Sequence, residues 1–304
     1  ALAVYRSDFA PPVAWDREDR LTMPDGGTVS VQWLGTEAAP GTPVLVVLHT
    51  ICGSANALRR FLQTMHRELG WVIAACNRRG HADLPLTAPQ LNTMGSTADL
   101  RRQIERIQEQ RPGSPLYGVG VSAGSGLLVR YLGEEGSHSQ FSGGVAVCPA
   151  YDIREAFRRV ERRYDAYLTR SLKRFFLQQY REQLKDVAGF AACAAARSIG
   201  EFHDNLYGLA GYADKKDAYY AGSNAMVVAR GMKIPVLVIN AKDDPVCVER
   251  NLHEQLDALT SLARVTVALT RHGGHCGFYE GMRARDSWAD RLIVQYLRTV
   301  HGAG

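Results

Sequence analysis

Predominantly apolar segments of strand length recur along this chain, and segments with helical periodicity separate most of them. The apolar runs lie at residues 43–49, 71–76, 115–121, 144–148, 235–240 and 263–269. Helical patterns lie at residues 55–69, 96–110, 123–135, 247–262 and 286–300. Uninterrupted apolarity is typical of a strand whose sheet is covered by helices on both faces. The alternation therefore predicts a doubly wound, mostly parallel α/β sheet.

The N-terminal region departs from this parallel pattern. Asp25-Gly26-Gly27 lies between two short apolar runs within residues 21–33. A tight hairpin turn requires residues that tolerate positive φ, and glycine does so at no steric cost. We therefore expect an antiparallel hairpin at the start of the sheet.

Residues 150–231 interrupt the alternation, since they contain no convincing strand. An apolar stripe at helical spacing follows residue 153, and its members are Phe157, Val160, Tyr164, Leu168, Leu172, Phe175 and Phe176. Because a segment that follows a strand's carboxyl end lies over the ligand crevice, we predict a helical lid of residues 150–231 on a core of residues 1–149 and 232–304. The aromatic residues expected to contact substrate are Phe157, Tyr164, Phe175 and Phe176. Alternatively, the stripe only packs on the core.

The segment Gly120-Val121-Ser122-Ala123-Gly124 matches the pattern G-x-S-x-G. It follows a predicted strand and begins a predicted helix, which is the setting of a nucleophile elbow. The tight turn leaves no room for side chains at the two glycines. The segment therefore predicts Ser122 as a nucleophile, the alternative being a glycine-rich turn with an incidental serine.

A serine hydroxyl needs a base, and that base needs an orienting acid. On this fold the acid and then the histidine follow the serine in chain order, each after a later strand. Asp244 follows the strand at 235–240 and is our predicted acid, with Asp243 as the alternative. His275 follows the strand at 263–269 and is our predicted base, whereas we interpret His272 as a structural partner.

An oxyanion hole on this fold combines two backbone N–H groups. We expect them from Ala123, directly after the nucleophile, and from Ile51, in the loop after the strand at 43–49. We interpret His49 as a residue that stabilises this loop. Such chemistry needs neither a metal ion nor a cofactor.

The net charge of +5 has a local origin. Residues 153–186 contain ten Arg or Lys against five Asp or Glu, a balance of +5. Such a run is typical of a solvated helix face, and the alternative is contact with an anionic membrane surface or an acidic substrate. We expect no nucleic-acid partner, because recognition motifs for nucleic acid are absent.

The six cysteines form no C-x-x-C pair and are typical of buried thiols in a reducing compartment. The chain begins with Ala rather than Met, a start that is compatible with a preceding targeting or anchoring segment. The predicted location is therefore cytoplasmic or membrane-associated.

The chain resembles the YheT-like branch of the α/β-hydrolases, which also includes animal acylglycerol lipases and plant embryogenesis-associated hydrolases. The matching segments are Pro24-Asp25-Gly26-Gly27, Trp33, His49-x-x-x-Gly53-Ser54, Asn77-x-Arg79-Gly80, Gly120-x-Ser122-x-Gly124, Tyr131-Leu132-Gly133-Glu134-Glu135-Gly136, Phe202-x-Asp204, Tyr219-Tyr220, Asn240-Ala241-Lys242-Asp243-Asp244-Pro245 and His272-Gly273-Gly274-His275-x-Gly277-Phe278. They extend over residues 20–280. The resemblance implies a triad of Ser122, Asp244 and His275 that hydrolyses esters or lipid esters.

Two residues depart from the family pattern. Relatives usually have glycine where this chain has Thr50, so the oxyanion loop is expected to differ in shape, or the Thr50 hydroxyl to donate a hydrogen bond. Cys276 replaces a residue that is commonly aliphatic, and we interpret it as a packing residue.

These patterns predict a serine carboxylic-ester hydrolase acting on acyl or lipid esters. One alternative is alcohol O-acyltransfer on the same triad, although none of the nine histidines begins the H-x-x-x-x-D motif of acyltransferase relatives. The other alternative is a non-catalytic protein that retains the pocket for ligand binding.

Overall fold

The computed structural model describes residues 11–213, 215–281 and 286–303 of the chain. Its large sheet is built from β1 (Arg17–Thr22), β2 (Thr28–Leu34), β3 (Val44–Leu48), β4 (Val72–Asn77), β5 (Leu116–Val121), β6 (Phe141–Val147), β7 (Val236–Ala241) and β8 (Val265–Thr270). The spatial order is β1-β2-β4-β3-β5-β6-β7-β8. The pairs β1–β2 and β2–β4 are antiparallel and the others are parallel. The predicted mostly parallel sheet with an antiparallel N-terminal hairpin is confirmed.

Helices cover both faces of the sheet and form the inserted segment. In chain order they are α1 (Arg59–Leu69), α2 (Thr97–Gln110), α3 (Ala123–Glu135), α4 (Ile153–Arg158), α5 (Arg162–Leu172), α6 (Arg181–Leu184), α7 (Phe190–Ala195), α8 (Ile199–Asp204), α9 (Lys216–Ser223), α10 (Glu249–His253), α11 (Leu256–Thr260) and α12 (Trp288–Gly302). Short 3₁₀ turns lie at Ala55–Leu58, Gly136–His138, Ala225–Val227 and Ala229–Gly231, and a π-helical turn at Lys173–Gln178. A two-stranded ribbon joins β9 (Tyr279–Glu280) to β10 (Asp286–Ser287).

The central strands are buried along their whole length. Every residue of β3, β4, β5 and β7 is buried. Helices therefore shield both faces of these strands, which explains their uninterrupted apolarity. Because burying one Val or Leu side chain contributes about 1.5–3 kcal/mol, this layer accounts for much of the stability that positions the loops at the strand ends.

Two element boundaries differ from the sequence prediction. The helix predicted over 247–262 is divided into α10 and α11, because Gln255 has φ −112° and departs from helical geometry. The strand predicted to begin at Gly144 begins at Phe141. A Cβ atom on Gly143 would lie 3.0 Å from the Val300 side chain, so glycine here allows α12 to pack closely against the sheet.

Helices α4–α9 lie between β6 and β7 and enclose their own apolar cluster. Its fully buried members include Leu184, Cys193, Phe202, Leu209 and Tyr219. The predicted apolar stripe is not one continuous helix, since α4 ends at Arg158 and α5 begins at Arg162. Among the described residues, no helix has the length and apolarity that a membrane span needs.

His203 is a buried histidine in this segment, and we expect it to make the fold sensitive to acid. Its Nδ1 lies 2.6 Å from the Tyr219 hydroxyl, and its ring stacks on Phe157 at 3.8 Å. Burial lowers the pKa of His203 to about 3, whereas an unfolded histidine titrates near 6.5. Since the folded state holds the neutral ring, its contribution to stability is complete above about pH 6.5 and is lost as the pH falls toward 3.

Urea unfolding of wild type and His203→Gln at neutral pH and at about pH 4 measures this effect. Glutamine retains a hydrogen-bonding group for Tyr219 but does not titrate. At neutral pH we expect wild type to have a larger unfolding free energy than this variant. At about pH 4 that difference should be smaller by about 3 kcal/mol. The exposed His253→Gln control should show no such change, and an advantage independent of pH would contradict the prediction.

Candidate active site

The structure brings Ser122, Asp244 and His275 together at the carboxyl ends of three strands. His275 Nε2 lies 2.9 Å from Ser122 Oγ. His275 Nδ1 lies 2.9 Å from Asp244 Oδ2 and 3.1 Å from Oδ1. With the Nδ1–H donating to the carboxylate, Nε2 can accept the hydrogen of the serine hydroxyl. This order of groups lets the imidazole remove a proton from Ser122.

Ser122 lies in a strained turn between β5 and α3. Its φ is 54° and its ψ is −118°, values that L-residues rarely adopt. A Cβ atom on Gly120 would collide with the carbonyl oxygen of Gly124, and one on Gly124 would collide with the carbonyl oxygen of Leu48. Both glycines of the pattern are therefore required by backbone contacts, and the turn exposes the Ser122 hydroxyl at the end of the sheet.

Asp244 is held in place by the backbone of its own loop. Its Oδ1 accepts hydrogen bonds from the N–H groups of Val246 and Cys247, both at 2.8 Å. Burial by itself raises the pKa of Asp244, but the hydrogen bond and charge of His275, together with these two N–H groups, hold it below its usual value. The carboxylate is therefore ionised at neutral pH and can orient the imidazole.

Asp243 has a different set of partners. Its Oδ1 accepts from the N–H groups of Gly273 at 2.9 Å and Gly274 at 2.8 Å. Its Oδ2 lies 3.3 Å from Nδ1 of the exposed His272. Asp243 thus fixes the loop that carries His275, and the geometry favours Asp244 over Asp243 as the group that contacts the imidazole.

His275 lies in a strongly polar and sulfur-rich surrounding. Burial alone would lower the pKa of His275, whereas the negative charge of Cys276 and the hydrogen bond with Asp244 act to raise it. Hydrogen bonding with Cys148 in turn lowers the pKa of the Cys276 thiol, against the effect of burial. Cys276 therefore acts on the electrostatics of the base as well as filling space.

The loop after β3 lies beside Ser122. Ile51 and Ala123 both line the cavity at Ser122, and no acceptor among the described residues binds the N–H of either one. Thr50 has no positive φ, so its β-branched side chain does not strain the loop. Its hydroxyl packs over Gly53, where a Cβ atom would collide with it, and Thr50 is not among the cavity-lining residues. The geometry therefore favours Ile51 over the Thr50 hydroxyl as a donor.

Sequence reasoning did not single out Arg78, although it contacts this loop directly. The buried guanidinium donates to the carbonyl oxygens of Thr50 at 2.5 Å and Ile51 at 3.3 Å. His81 Nε2 lies 3.2 Å from the Ile51 carbonyl, and His49 Nδ1 lies 2.9 Å from that of Thr50. These contacts hold the carbonyl groups of Thr50 and Ile51 toward Arg78. His49 thus contacts the loop that we expect it to stabilise.

The motif Asn77-x-Arg79-Gly80 drew attention to the neighbouring arginine instead. Arg79 forms ion pairs with Asp99 at 2.7 Å and Asp25 at 2.5 Å, and so joins the N-terminal hairpin to α2. Only the position of Arg78 directly after buried β4 could have indicated that its side chain turns into the protein.

The cavity at Ser122 is narrow and mostly apolar, with a volume of about 50 Å³. Its lining residues are Ile51, Met94, Ser122, Ala123, Gly126, Ala150, Tyr151, Ile153, Phe157, Leu168, Ile199, Ser223, Ala225, Val246, Cys247 and His275. The inserted helices supply one wall of it, including Ile153, Leu168 and Ile199, which sequence reasoning did not propose as contacts.

The expectation for the four aromatic residues of the insertion needs correction. Phe157 alone among them lines the cavity. Tyr164 is 37% exposed on the outer surface. Phe175 and Phe176 pack against the ring of His81 at 4.7 and 5.7 Å. The stripe is divided among α4, α5 and the π-helical turn, and its members do not all face one pocket.

Comparisons with known proteins relate the chain to a family of hydrolases. The Hydrolase_4 family model, described as serine aminopeptidase, S33, matches residues 40–281. Embryogenesis-associated protein EMB8 of Picea glauca is 28% identical over 95% of this chain and 67% of its own length. Phospholipase ABHD3 of Mus musculus is 26% identical over 96% of this chain and 74% of its own length. YheT of Escherichia coli (strain K12) is 30% identical over 92% of this chain and 84% of its own length.

A solved structure shares the fold despite low identity. The esterase Pf2001 of Pyrococcus furiosus superposes with a TM-score of 0.62 at 14% identity, over 94% of this chain and 93% of that chain. The relatives support hydrolase activity, and the structural likeness supports the fold. From the family match and the mostly parallel sheet together, the chain belongs to the Hydrolase_4 family, in the YheT-like branch of the α/β-hydrolases.

Proposed function

We propose that this protein hydrolyses carboxylic esters through an acyl-enzyme formed on Ser122. The observation that carries the proposal is the unbroken hydrogen-bond chain from Ser122 through His275 to Asp244 at the edge of a cavity. Ser122 Oγ attacks the ester carbonyl while His275 Nε2 takes its proton. The imidazolium then protonates the leaving alkoxide, and water repeats the sequence to release the acid.

The negative charge that develops on the carbonyl oxygen needs donors in place before reaction. We assign this role to the N–H groups of Ile51 and Ala123, and each such donor is typically worth about 3–4 kcal/mol. The N-terminus of α3 adds a positive partial charge at the same point. Arg78 supports the arrangement because it binds the carbonyl groups on the other side of the Ile51 loop.

The cavity lining favours an apolar acyl group as the bound part of the substrate. No Asp or Glu is among the described residues that line it, so no carboxylate there would pair with the ammonium group of an aminopeptidase substrate. Mouse ABHD3 is named a phospholipase, which is consistent with an acyl ester. The volume of about 50 Å³ is far below the roughly 300 Å³ of a typical ligand site, so a long acyl chain requires the inserted helices to move.

Covalent labelling combined with an ester series tests this function. We expect a fluorophosphonate to label Ser122, because the probe traps a serine only when its base is active. With p-nitrophenyl esters from acetate to stearate in the absence of lipid, short acyl chains should react fastest. Mass spectrometry of the labelled peptide identifies the residue. A protein that hydrolyses no ester and stays unlabelled would be a ligand-binding relative rather than an enzyme.

We further propose that α5 contacts anionic lipid surfaces. Arg163, Tyr167, Arg170 and Arg174 recur at helical spacing and are exposed, with Tyr167 55% exposed. Among the described residues, no carboxylate forms an ion pair with these three arginines. An exposed face that combines aromatic and cationic side chains is typical of helices that lie on membranes.

Vesicle co-sedimentation tests this contact. We expect stronger binding to vesicles containing phosphatidylserine than to pure phosphatidylcholine, since each surface arginine contributes about 1 kcal/mol. The double variant Arg163→Glu, Arg170→Glu should lose at least about tenfold in affinity. Arg264→Glu reverses the charge of an exposed arginine directly before β8, and it is the charge-matched control for the single variant Arg163→Glu. Equal binding to both vesicle types, or equal loss in the control, would contradict the proposal.

A further inference from the structure

Three thiols surround the catalytic histidine, and ester hydrolysis uses none of them. Cys148 directly follows β6, Cys247 follows Asp244 by three residues, and Cys276 follows His275 directly. All three are free cysteines. The three thiols and the Asp244 carboxylate therefore all lie near the ring of His275.

The donor atoms of Cys148, His275 and Cys276 already lie close together. One ligand atom from each lies within 4.8 Å of the others. The Cys276 N–H lies 3.4 Å from Cys148 Sγ, and the Cys148 N–H donates to the Ile239 carbonyl at 2.8 Å. In tetrahedral zinc sites, bonds of about 2.3 Å to sulfur place neighbouring sulfurs about 3.8 Å apart. A small decrease in the distances between these three donor atoms would therefore give the spacing that a zinc ion requires.

We propose that Cys148, His275 and Cys276 bind a soft divalent metal ion of the zinc class. Two thiolates and an imidazole are the donor set that selects such ions over Mg²⁺ or Ca²⁺. Cys148 is fully buried and set by the sheet, whereas Cys276 is half-buried beside a base that borders the cavity. The ion enters through that cavity, and the thiol protons pass to solvent on coordination.

Metal binding and hydrolysis exclude each other. His275 uses Nδ1 for Asp244 and Nε2 for Ser122, so a metal on either nitrogen replaces one of these hydrogen bonds. Asp244, Cys247 and His275 form a second group within 4.8 Å. We favour the group with Cys148 and Cys276 because it offers two sulfurs rather than one.

Cobalt binding to the Ser122→Ala protein tests the site without any need for hydrolysis. We expect one equivalent of Co²⁺ to produce a thiolate-to-metal charge-transfer absorption. The band should disappear when Cys148→Ala or Cys276→Ala is added and should persist with Cys247→Ala or with the distant Cys193→Ala. A band that depends on Cys247 instead, or that survives loss of both proposed cysteines, would overturn the assignment.

Zinc inhibition of the active protein is the second measurement, made in tris(2-carboxyethyl)phosphine. We expect ZnCl₂ to stop p-nitrophenyl butyrate hydrolysis and EDTA to restore it. Relative to each variant's own rate without metal, Cys276→Ala or Cys148→Ser should raise the zinc needed for half-inhibition at least about tenfold. Thermal unfolding checks that each variant folds. Zinc inhibition that EDTA does not reverse, or that is equally strong in both cysteine variants, would overturn the proposal.

Discussion

Replacing Ser122 by alanine is expected to reduce kcat/KM for p-nitrophenyl butyrate by at least about 10⁴-fold. The substitution removes only the Oγ atom that attacks the ester, while the oxyanion donors and the cavity remain. Because alanine fits the turn as well as serine does, with the same φ of 54°, the strain of the turn is unchanged. The variant should therefore fold with little change in unfolding free energy while losing fluorophosphonate labelling.

The control for this variant is Ser261→Ala, which removes an exposed hydroxyl that bonds only to the Ala258 carbonyl. It should keep the wild-type rate. A Ser122→Ala protein that retains wild-type turnover would show that another nucleophile performs the reaction, and labelling at a different residue would identify it.

Much of the fold was predictable because local pattern and tertiary burial agree. The central strands are buried on both faces, so each one is a continuous apolar run in the sequence. The turn that carries the candidate nucleophile was predictable for a related reason. Gly120 and Gly124 are each required by backbone contacts across the turn, and that requirement leaves a visible pattern around Ser122.

The cavity lining was less predictable, because it depends on how helices are oriented in space. Phe157 and Leu168 line the cavity although Tyr164, at an intermediate position in the same stripe, is exposed. Tyr164 and Leu168 lie one turn apart on α5, and periodicity along a sequence does not show which of two such residues will meet a cavity formed by other elements. Arg78 was missed for a comparable reason, since a single arginine after a strand gives no sign of what it contacts.

The structure also weakens the case for a non-catalytic protein. That alternative rested on Thr50, which stands where relatives usually have glycine. The Thr50 backbone has no positive φ, and Ile51 still lines the cavity beside Ser122. A β-branched residue at this position is therefore compatible with an intact oxyanion loop, and the loop gives no reason to expect lost activity.

The adjacent residues Asp243 and Asp244 allow the same substitution to be compared at two neighbouring positions. Asp244→Asn is expected to lower kcat by about 10⁴-fold, the size of loss seen when a triad aspartate is replaced by asparagine. Asparagine is nearly isosteric, and its amide oxygen can still accept from the Val246 and Cys247 N–H groups. The remaining amide group then faces His275 Nδ1 and favours the wrong tautomer, and the charge that stabilises the imidazolium is gone.

Asp243→Asn makes the same chemical change one residue away, with a far smaller expected effect. Its amide oxygen can still accept from the Gly273 and Gly274 N–H groups, so the loop that carries His275 keeps its anchor. We expect kcat to stay within about tenfold of wild type, because neutral acceptors retain most of such backbone hydrogen bonds. The rate of acylation, measured by stopped flow, should be lower for Asp244→Asn than for Asp243→Asn. The rate of fluorophosphonate labelling should differ in the same direction. A larger loss in Asp243→Asn than in Asp244→Asn would transfer the role of the acid to Asp243.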